Sequence, residues 1–371
     1  MRILDDIEAY PCSTHLANNH NVTTVHKIDP LQDPRWARFV DIHPKATVFH
    51  TPGWFETLRR TYGYDCFGLT TTRPNTELTN GMVFCRVASW LTGPRWVSVP
   101  FADHCDPLVD RAEDLYSMFD WAARESVIAK NRYVEIRPLA STLVPSRNGL
   151  FQRSKEFKIH LLDLRPSLDE LLQSFDKNSV QRRIRKAQKE ELLYEEGASP
   201  NLLKKFYHLM VLTRRRHRVP PQPLAWYGNL LDVLGDKARI RVVSKGDFPV
   251  ASMMTIRHGG LMTYKYGCSD ERYNNLAGNV LLFWRAIQDA KESGARTFDM
   301  GRSDLDNPGL IRFKSNWGAN ASNITYWRSP GLSDAKTTER SRVRQLGGYL
   351  LSRLPERCLI AVGRMLYKHA G

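Results

Sequence analysis

Two short stretches constrain this chain more than anything else in it: Thr297-Phe298-Asp299-Met300-Gly301-Arg302-Ser303 and, shortly after, Arg312-Phe313-Lys314-Ser315-Asn316-Trp317-Gly318-Ala319. Within about twenty residues they hold an apolar strand, a glycine turn, a carboxylate and several cations, a density expected where strand ends carry chemistry.

The rest of the pattern fits an α/β (α+β) protein. At 371 residues the chain is long for one core, so two units are expected. In the first half, helices fit Asp33 to Val40, Trp54 to Thr61 and Asp114 to Ile128. Strands fit Tyr64 to Thr71, Asn80 to Trp90, Arg95 to Val99 and Arg132 to Ile136. In the second half, helices fit Ser179 to Lys189, Pro200 to Thr213, Pro223 to Leu234, Asn275 to Glu292 and Pro308 to Asn316. Strands fit Ala238 to Val243, Pro249 to Arg257, Leu261 to Cys268, Thr297 to Met300 and Ser322 to Trp327. Pro52-x-Trp54 and Pro223-x-x-Trp226 each open a helix that leads into three antiparallel-type strands, so the halves read as diverged copies of one unit. The expected division is 22–150, 151–330 and a basic amphipathic tail, 331–371.

Asp299-Met300-Gly301-Arg302 and Phe313-Lys314-Ser315-Asn316-Trp317-Gly318 resemble the second acyltransferase domain of the Fem-type enzymes, the FemAB/FemX-like branch of the GNAT superfamily. There a D-x-G-[RS] strand end precedes an F-K-x-x-[WF]-G helix. The resemblance covers about Asp33 to Trp327 and implies two tandem GNAT-like domains, each a mixed, mostly antiparallel sheet flanked by helices. It implies an N-acyltransferase without a permanently bound cofactor, using acyl-CoA or aminoacyl-tRNA as co-substrate.

Lys314 is the leading catalytic candidate, because the resemblance puts it where an ammonium stabilises the oxyanion formed when an amine attacks an acyl carbonyl. A surface lysine on a basic helix, with Phe313 and Trp317 as core anchors, is the structural alternative. Asp299 and Arg302 bracket Gly301 and suit either a polar substrate group or a turn cap with an internal ion pair. His104, in Pro100-Phe101-Ala102-Asp103-His104-Cys105-Asp106-Pro107, is a candidate base or an idle turn histidine. The donor-binding turn corresponds to Asn275, Gly278 and Asn279 with Phe313 near it, although its single glycine departs from the usual coenzyme A pattern. Tyr264 and Tyr266, two apart, are expected on one strand face, where the resemblance implies contact with the acceptor and packing is the alternative. Arg182, Arg185 and Lys186 lie in a segment that resembles a Fem-type basic stretch contacting a phosphorylated acceptor, with a solvated basic face as the alternative, and Arg216 lies in a second cationic turn that helix-dipole complementarity partly explains.

The net charge of +15 is concentrated. Six cations and no acid lie between Lys177 and Lys189, four arginines between Arg214 and Arg218, and eight cations against two acids in Lys336 to Gly371. Such patches ask for an anionic partner, which the resemblance implies is a nucleotide- or lipid-linked envelope precursor, of peptidoglycan or an exopolysaccharide, or tRNA; for the tail an anionic membrane surface is expected, with docking on the protein's own body as the alternative. A nucleic-acid-binding module or a non-catalytic polysaccharide-assembly scaffold is the rival function. Six scattered cysteines without metal spacing read as thiols, and no metal site is expected. The acidic N-terminus and the lack of an apolar run of ~20 residues lead to an expected cytoplasmic location, peripheral on the membrane's inner face if the tail binds there.

Overall fold

The structure, a computed structural model, describes residues 23–139, 149–330 and 353–371. Its twelve strands form one sheet in the order β1-β2-β3-β4-β5-β12-β6-β11-β10-β9-β8-β7. The first half contributes β1 (His26–Ile28), β2 (Asp65–Thr70), β3 (Met82–Val87), β4 (Arg95–Val97) and β5 (Tyr133–Ile136), with helices α1 (Pro34–Ile42), α2 (Pro52–Tyr62) and α3 (Ala112–Ile128). From the second half come β6 (Gln152–Asp163), β7 (Leu193–Gly197), β8 (Ala238–Lys245), β9 (Phe248–His258), β10 (Leu261–Ser269), β11 (Thr297–Asp304) and β12 (Asn320–Pro330). Its helices are α4 (Leu168–Ser174), α5 (Arg182–Gln188), α6 (Pro200–Arg216), α7 (Leu224–Leu234), α8 (Gly278–Glu292) and α9 (Pro308–Ser315), and α10 (Glu356–Leu366) follows near the end.

The repeat read from the sequence is visible in the topology. Each half runs two helices, three antiparallel strands, a crossover helix, and a strand parallel to the third: β2-β3-β4-α3-β5 and β8-β9-β10-α8-β11. Helix starts follow their caps, since Asp33, Thr51 and Ser199 each accept a backbone N–H and a proline opens the following turn.

The halves share a core. Trp54 of α2 meets Trp226 of α7 edge-on at 5.5 Å, within a cluster that includes Trp36, Phe49 and Leu58 from the first half and Phe206, Tyr227 and Met254 from the second. A second core beneath α8 holds Leu282, Phe298, Met300 and Trp317. β12 pairs with β6 along most of its length and with β5 at its end, so it joins the two half-sheets.

Several expectations change. β6, the long central strand, was not anticipated, because its first five residues, Gln152 to Glu156, are polar and mostly exposed. The helix expected over Ser179 to Lys189 is a π-type turn, Lys177–Gln181, followed by α5. Cys66 and Cys85 are not thiols: they face each other in the β2–β3 register and are joined by a disulfide. Sequence spacing could not reveal this, since the hairpin register brings them together. Among the remaining described cysteines, Cys105 and Cys268 are buried and Cys358 is exposed.

Residues 331–352 of the tail lie outside the described residues, but α10 packs on the body. Leu359 is fully buried, and Gly363 lies so close to Pro221 that a Cβ there would sit 2.0 Å from its carbonyl oxygen. Arg95 and Thr92 donate to the His369 carbonyl, and Tyr64 donates to the carbonyls of Tyr367 and Lys368. Among the described residues no helix is long and apolar enough to cross a membrane.

Candidate active site at a splayed strand pair

β10 and β11 pair in parallel through three positions only, Leu261↔Thr297, Met262↔Phe298 and Thr263↔Asp299. Beyond them both strands are bulged, β10 between Tyr264 and Tyr266 and β11 between Asp299 and Arg302. A bulge adds a residue to one strand, bends it and turns the following side chain to the other face. Here it places polar groups at the point where the strands part.

On β11, Gly301 holds a left-handed φ of 72°, and its N–H donates to Asp299 Oδ1 at 2.7 Å. A Cβ at Gly301 would lie 3.0 Å from Asp103 Oδ2 and 4.0 Å from Lys314 Nζ, so glycine lets these groups converge. Lys314, on α9, donates to the carbonyls of Gly301 at 2.8 Å and Arg302 at 2.9 Å. It is 2% exposed, and burial pushes its ammonium down from 10.5 to about 8. Two of its three N–H groups are thus held by the bulge, leaving one for a ligand.

Asp299 is fully buried. Its Oδ2 meets His104 Nε2 at 3.0 Å, so the internal Asp299–Arg302 pair considered from the sequence does not form. Burial works against the imidazolium of His104, but the Asp299 hydrogen bond and nearby carboxylates outweigh it and raise its pKa. His104 Nδ1 has no hydrogen-bond partner among the described residues. Arg302 instead lies 3.5 Å from Asp103, donates to the Tyr326 hydroxyl at 2.9 Å and stacks on Phe157.

Lys265 and Asp103 were not singled out by the sequence. Lys265 is the extra residue of the β10 bulge, with Nζ 3.6 Å from Asp103 Oδ2 above the rings of Phe49, Trp54 and Tyr266. Burial lowers its pKa, partly offset by Asp103. Burial would raise Asp103, but Lys265, Arg302, His104 and Lys314 together hold it below the usual carboxylate range. Asp103 and His104 sit on a loop whose Val99 and Phe101 adopt φ values of 141° and 62°, a strain of order 1–3 kcal/mol each that packing sustains. Tyr326 of β12 fixes this loop by donating to the Asp103 carbonyl at 2.6 Å. A lysine between two tyrosines in an apolar strand was the available signal for Lys265; Asp103 had none beyond its neighbour His104.

The same bulge corrects the placement of the tyrosines. Tyr266 points into the core between the halves and accepts from Trp226 Nε1 at 2.8 Å, whereas Tyr264 lies on the opposite face against Phe283. Strict alternation would have put them together.

On the α8 side, Asn275 is exposed in the turn before the helix and Asn279 is half-buried in its first turn. Gly278 serves packing, since a Cβ there would meet Val250 at 3.1 Å and Ala251 at 3.3 Å. Phe313 packs on Phe283 at the edge of the second core. α5 lies beside this turn, where Arg183 donates to the Asn274 carbonyl at 3.1 Å. Arg182, Arg185 and Lys186 are exposed and make no ion pair among the described residues. They belong to the α8 face, not to the side where Asp299 meets His104. Arg216 is engaged locally, 3.4 Å from the Ser269 carbonyl and 3.9 Å from Glu271. Below Lys314, buried His160 approaches Ser315 Oγ at 3.3 Å, and burial beside Lys314 pushes it down to about 4.

Residues 174–315 match the acetyltransferase (GNAT) domain family. Among solved structures, FemX superposes with a TM-score of 0.64 at 17% identity, covering 81% of this chain and 96% of FemX. A tandem GNAT protein from the clavulanic acid biosynthesis pathway superposes with a TM-score of 0.53 at 10% identity, covering 84% of this chain and all of the other. No curated protein matches the chain. Residues 174–315 are therefore similar to the GNAT acetyltransferase domain, and the fold of the chain is like that of FemX and of the tandem GNAT protein.

Proposed function

We propose that this protein is an N-acyltransferase that moves an acyl or aminoacyl group from acyl-CoA or aminoacyl-tRNA to an amine of an anionic cell-envelope precursor, a peptidoglycan intermediate or an exopolysaccharide sugar. The observation that carries this reading is the convergence of Lys314, Asp103 and Lys265 around Gly301, where β10 and β11 part. The donor would lie along the turn before α8, with its phosphates beside Arg182, Arg185 and Lys186 and its carbonyl at the splay. This departs from a purely acceptor-binding role for the three cations, because their neighbour is the α8 turn.

Asp103, partly exposed and ionised, would hold the acceptor ammonium. Once a proton is lost to water or to a substrate phosphate, the amine nitrogen attacks the carbonyl carbon. Lys314 donates its remaining N–H to the oxyanion, the attacking nitrogen gives up its second proton, and the leaving group takes up a proton as the C–S or C–O bond breaks, so that the amide forms with no net change in protons. His104 would hold Asp299, and so the Gly301 turn, in place. Arg302 and Tyr326 position the Asp103 loop. Peripheral contact with an anionic membrane, on the inner face of the plasma membrane, would involve the exposed cations Arg357, Arg364 and Lys368 of the C-terminal segment, because the Leu359 side of α10 is taken up by the protein's body.

The test is amine-dependent release of free CoA from acyl-CoA, or of deacylated tRNA from aminoacyl-tRNA, over a panel of amino-sugar and peptidoglycan-stem acceptors. Turnover lost in Lys314→Ala and Asp103→Asn, both folded, is the expected result. Turnover at the wild-type rate in both variants would refute the assignment.

A further inference from the structure

A cavity of about 460 Å³ opens on the first half, at the end of α3 and far along the sheet from the splayed strands. Trp96 and Trp121, stacked at 6.3 Å, form its wall, and Lys27, Arg86, Ile128 and Asn131 also line it. Asn131 is 6% exposed, and its side-chain amide nitrogen has no hydrogen-bond partner among the described residues. A buried donor left unpaired in a cavity wall calls for an acceptor from outside.

Around the mouth the surface is apolar in a way a solvated face does not need to be. Ile128 is 71% and Val127 63% exposed at the end of α3. Trp90, 85% exposed, and Leu91 stand at the tip of the β3–β4 connection, whose base, Val87, Ala88 and Pro94, lines the same cavity. Arg132 fastens the two segments together, with its guanidinium donating to the Thr92 carbonyl and its backbone N–H to Pro94. The polar groups of this face are mostly cationic: Lys27, Arg86, Lys130, Arg132 and, next to Trp90 through His369, Lys368. Two acids accompany them, Glu125 in the lining and Asp65, which is ion-paired to Arg86.

We infer that this face seats the protein on an anionic bilayer, with Trp90, Leu91 and Ile128 entering the interface and the cavity receiving a lipid phosphate headgroup. An exposed tryptophan flanked by aliphatic side chains and ringed by cations is matched to the boundary between acyl chains and anionic headgroups. A nucleic acid would use the cations but leave the aliphatic tip in water. Lys27 and Arg86 meet the phosphate charge, and the Asn131 amide donates to a phosphate oxygen. The surface is separate from the acyl-transfer residues, so the inference stands or falls independently of the proposed reaction.

The test is co-sedimentation of the full chain with vesicles of mixed phosphatidylglycerol and phosphatidylcholine, and of phosphatidylcholine alone. The expected result is binding to the first and not the second, weakened about tenfold in Trp90→Ser and Ile128→Ser and about twenty-five-fold in Lys27→Gln/Arg86→Gln, at roughly fivefold per cation. Trp90 is so exposed that its variant should keep the wild-type melting temperature. Should the double charge variant fail to fold, release of the wild-type protein by salt reports the same charge dependence. No vesicle binding by the wild-type protein, undiminished binding in the variants, or tighter binding to tRNA than to vesicles through Lys27 and Arg86 overturns the inference.

Discussion

Replacing Lys314 by methionine keeps the reach of the side chain and removes its charge. The drop of the ammonium from 10.5 to about 8 corresponds to about 3 kcal/mol. Below pH 8 both folded and unfolded states hold the proton, and this amount opposes folding. Between pH 8 and 10.5 the unfolded chain retains a proton that the folded protein has lost, so stability rises with pH; above 10.5 the opposition is gone. The unfolding free energy of the wild type should therefore gain about 3 kcal/mol on that of Lys314→Met between pH 7 and pH 11. At pH 7 the variant escapes the charge burial but leaves the Gly301 and Arg302 carbonyls without their donor, a cost of about 1–3 kcal/mol each, so no large net gain is expected. Transfer should behave differently. Loss of one oxyanion donor lowers kcat by about 10²–10³, and the wild-type rate should fall above pH 8 as the ammonium deprotonates. Urea titrations across pH and a free-thiol assay measure the two effects on the same preparations. A kcat within tenfold of wild type, or stability curves that run parallel with pH, would refute the reasoning.

Glu135, buried between Arg137 and Arg328, is held at about 2 because the two guanidinium charges outweigh its burial. Its stabilisation is present above the ordinary value of 4.5 and is lost as pH falls through about 2, and Glu135→Gln should cost about 3–5 kcal/mol in urea unfolding at pH 7. A loss below 1 kcal/mol would mean the two arginines find other partners. Joint replacement of Arg182, Arg185 and Lys186 by glutamine should raise the donor KM, reduce its salt dependence and leave the acceptor KM near wild type; an unchanged donor KM returns them to a solvated face. Leu359→Ala should destabilise by about 2–4 kcal/mol if α10 belongs to the folded body, and an unmoved melting temperature would show that it does not.

Periodicity made the repeated unit legible, because three strands with period two followed by a helix with period 3.6 occur twice. Lys314, Asp299, Gly301 and Arg302 could be found because they lie close together in sequence around one strand end. Groups defined by distant partners were hidden. Asp103 gains its meaning from Lys265 and Arg302, far along the chain, and no local pattern marks it. Lys265 was obscured by the bulge that carries it, since regular alternation would aim it away from the flanking tyrosines. β6 escaped because only its second half alternates, and the polar first half looked like a loop.

The seam made by β12 bears on how the chain is made in the cell. β5, already paired with β4, reaches its second partner only through Trp327↔Ile136, Arg328↔Glu135, Ser329↔Val134 and Pro330↔Tyr133, about 190 residues further on. At about 5–20 residues per second, a ribosome takes roughly ten to forty seconds to deliver that strand. During this interval the nascent first half has an open edge at β5, and Glu135 still lacks Arg328. The apolar face of α2 also waits for α7. Exposed strand edges and unfilled apolar faces are what chaperones bind and what aggregates grow from. The last strand of the sheet thus acts as a closing signal: an interrupted or truncated copy should remain chaperone-bound or be degraded rather than accumulate as a free first half.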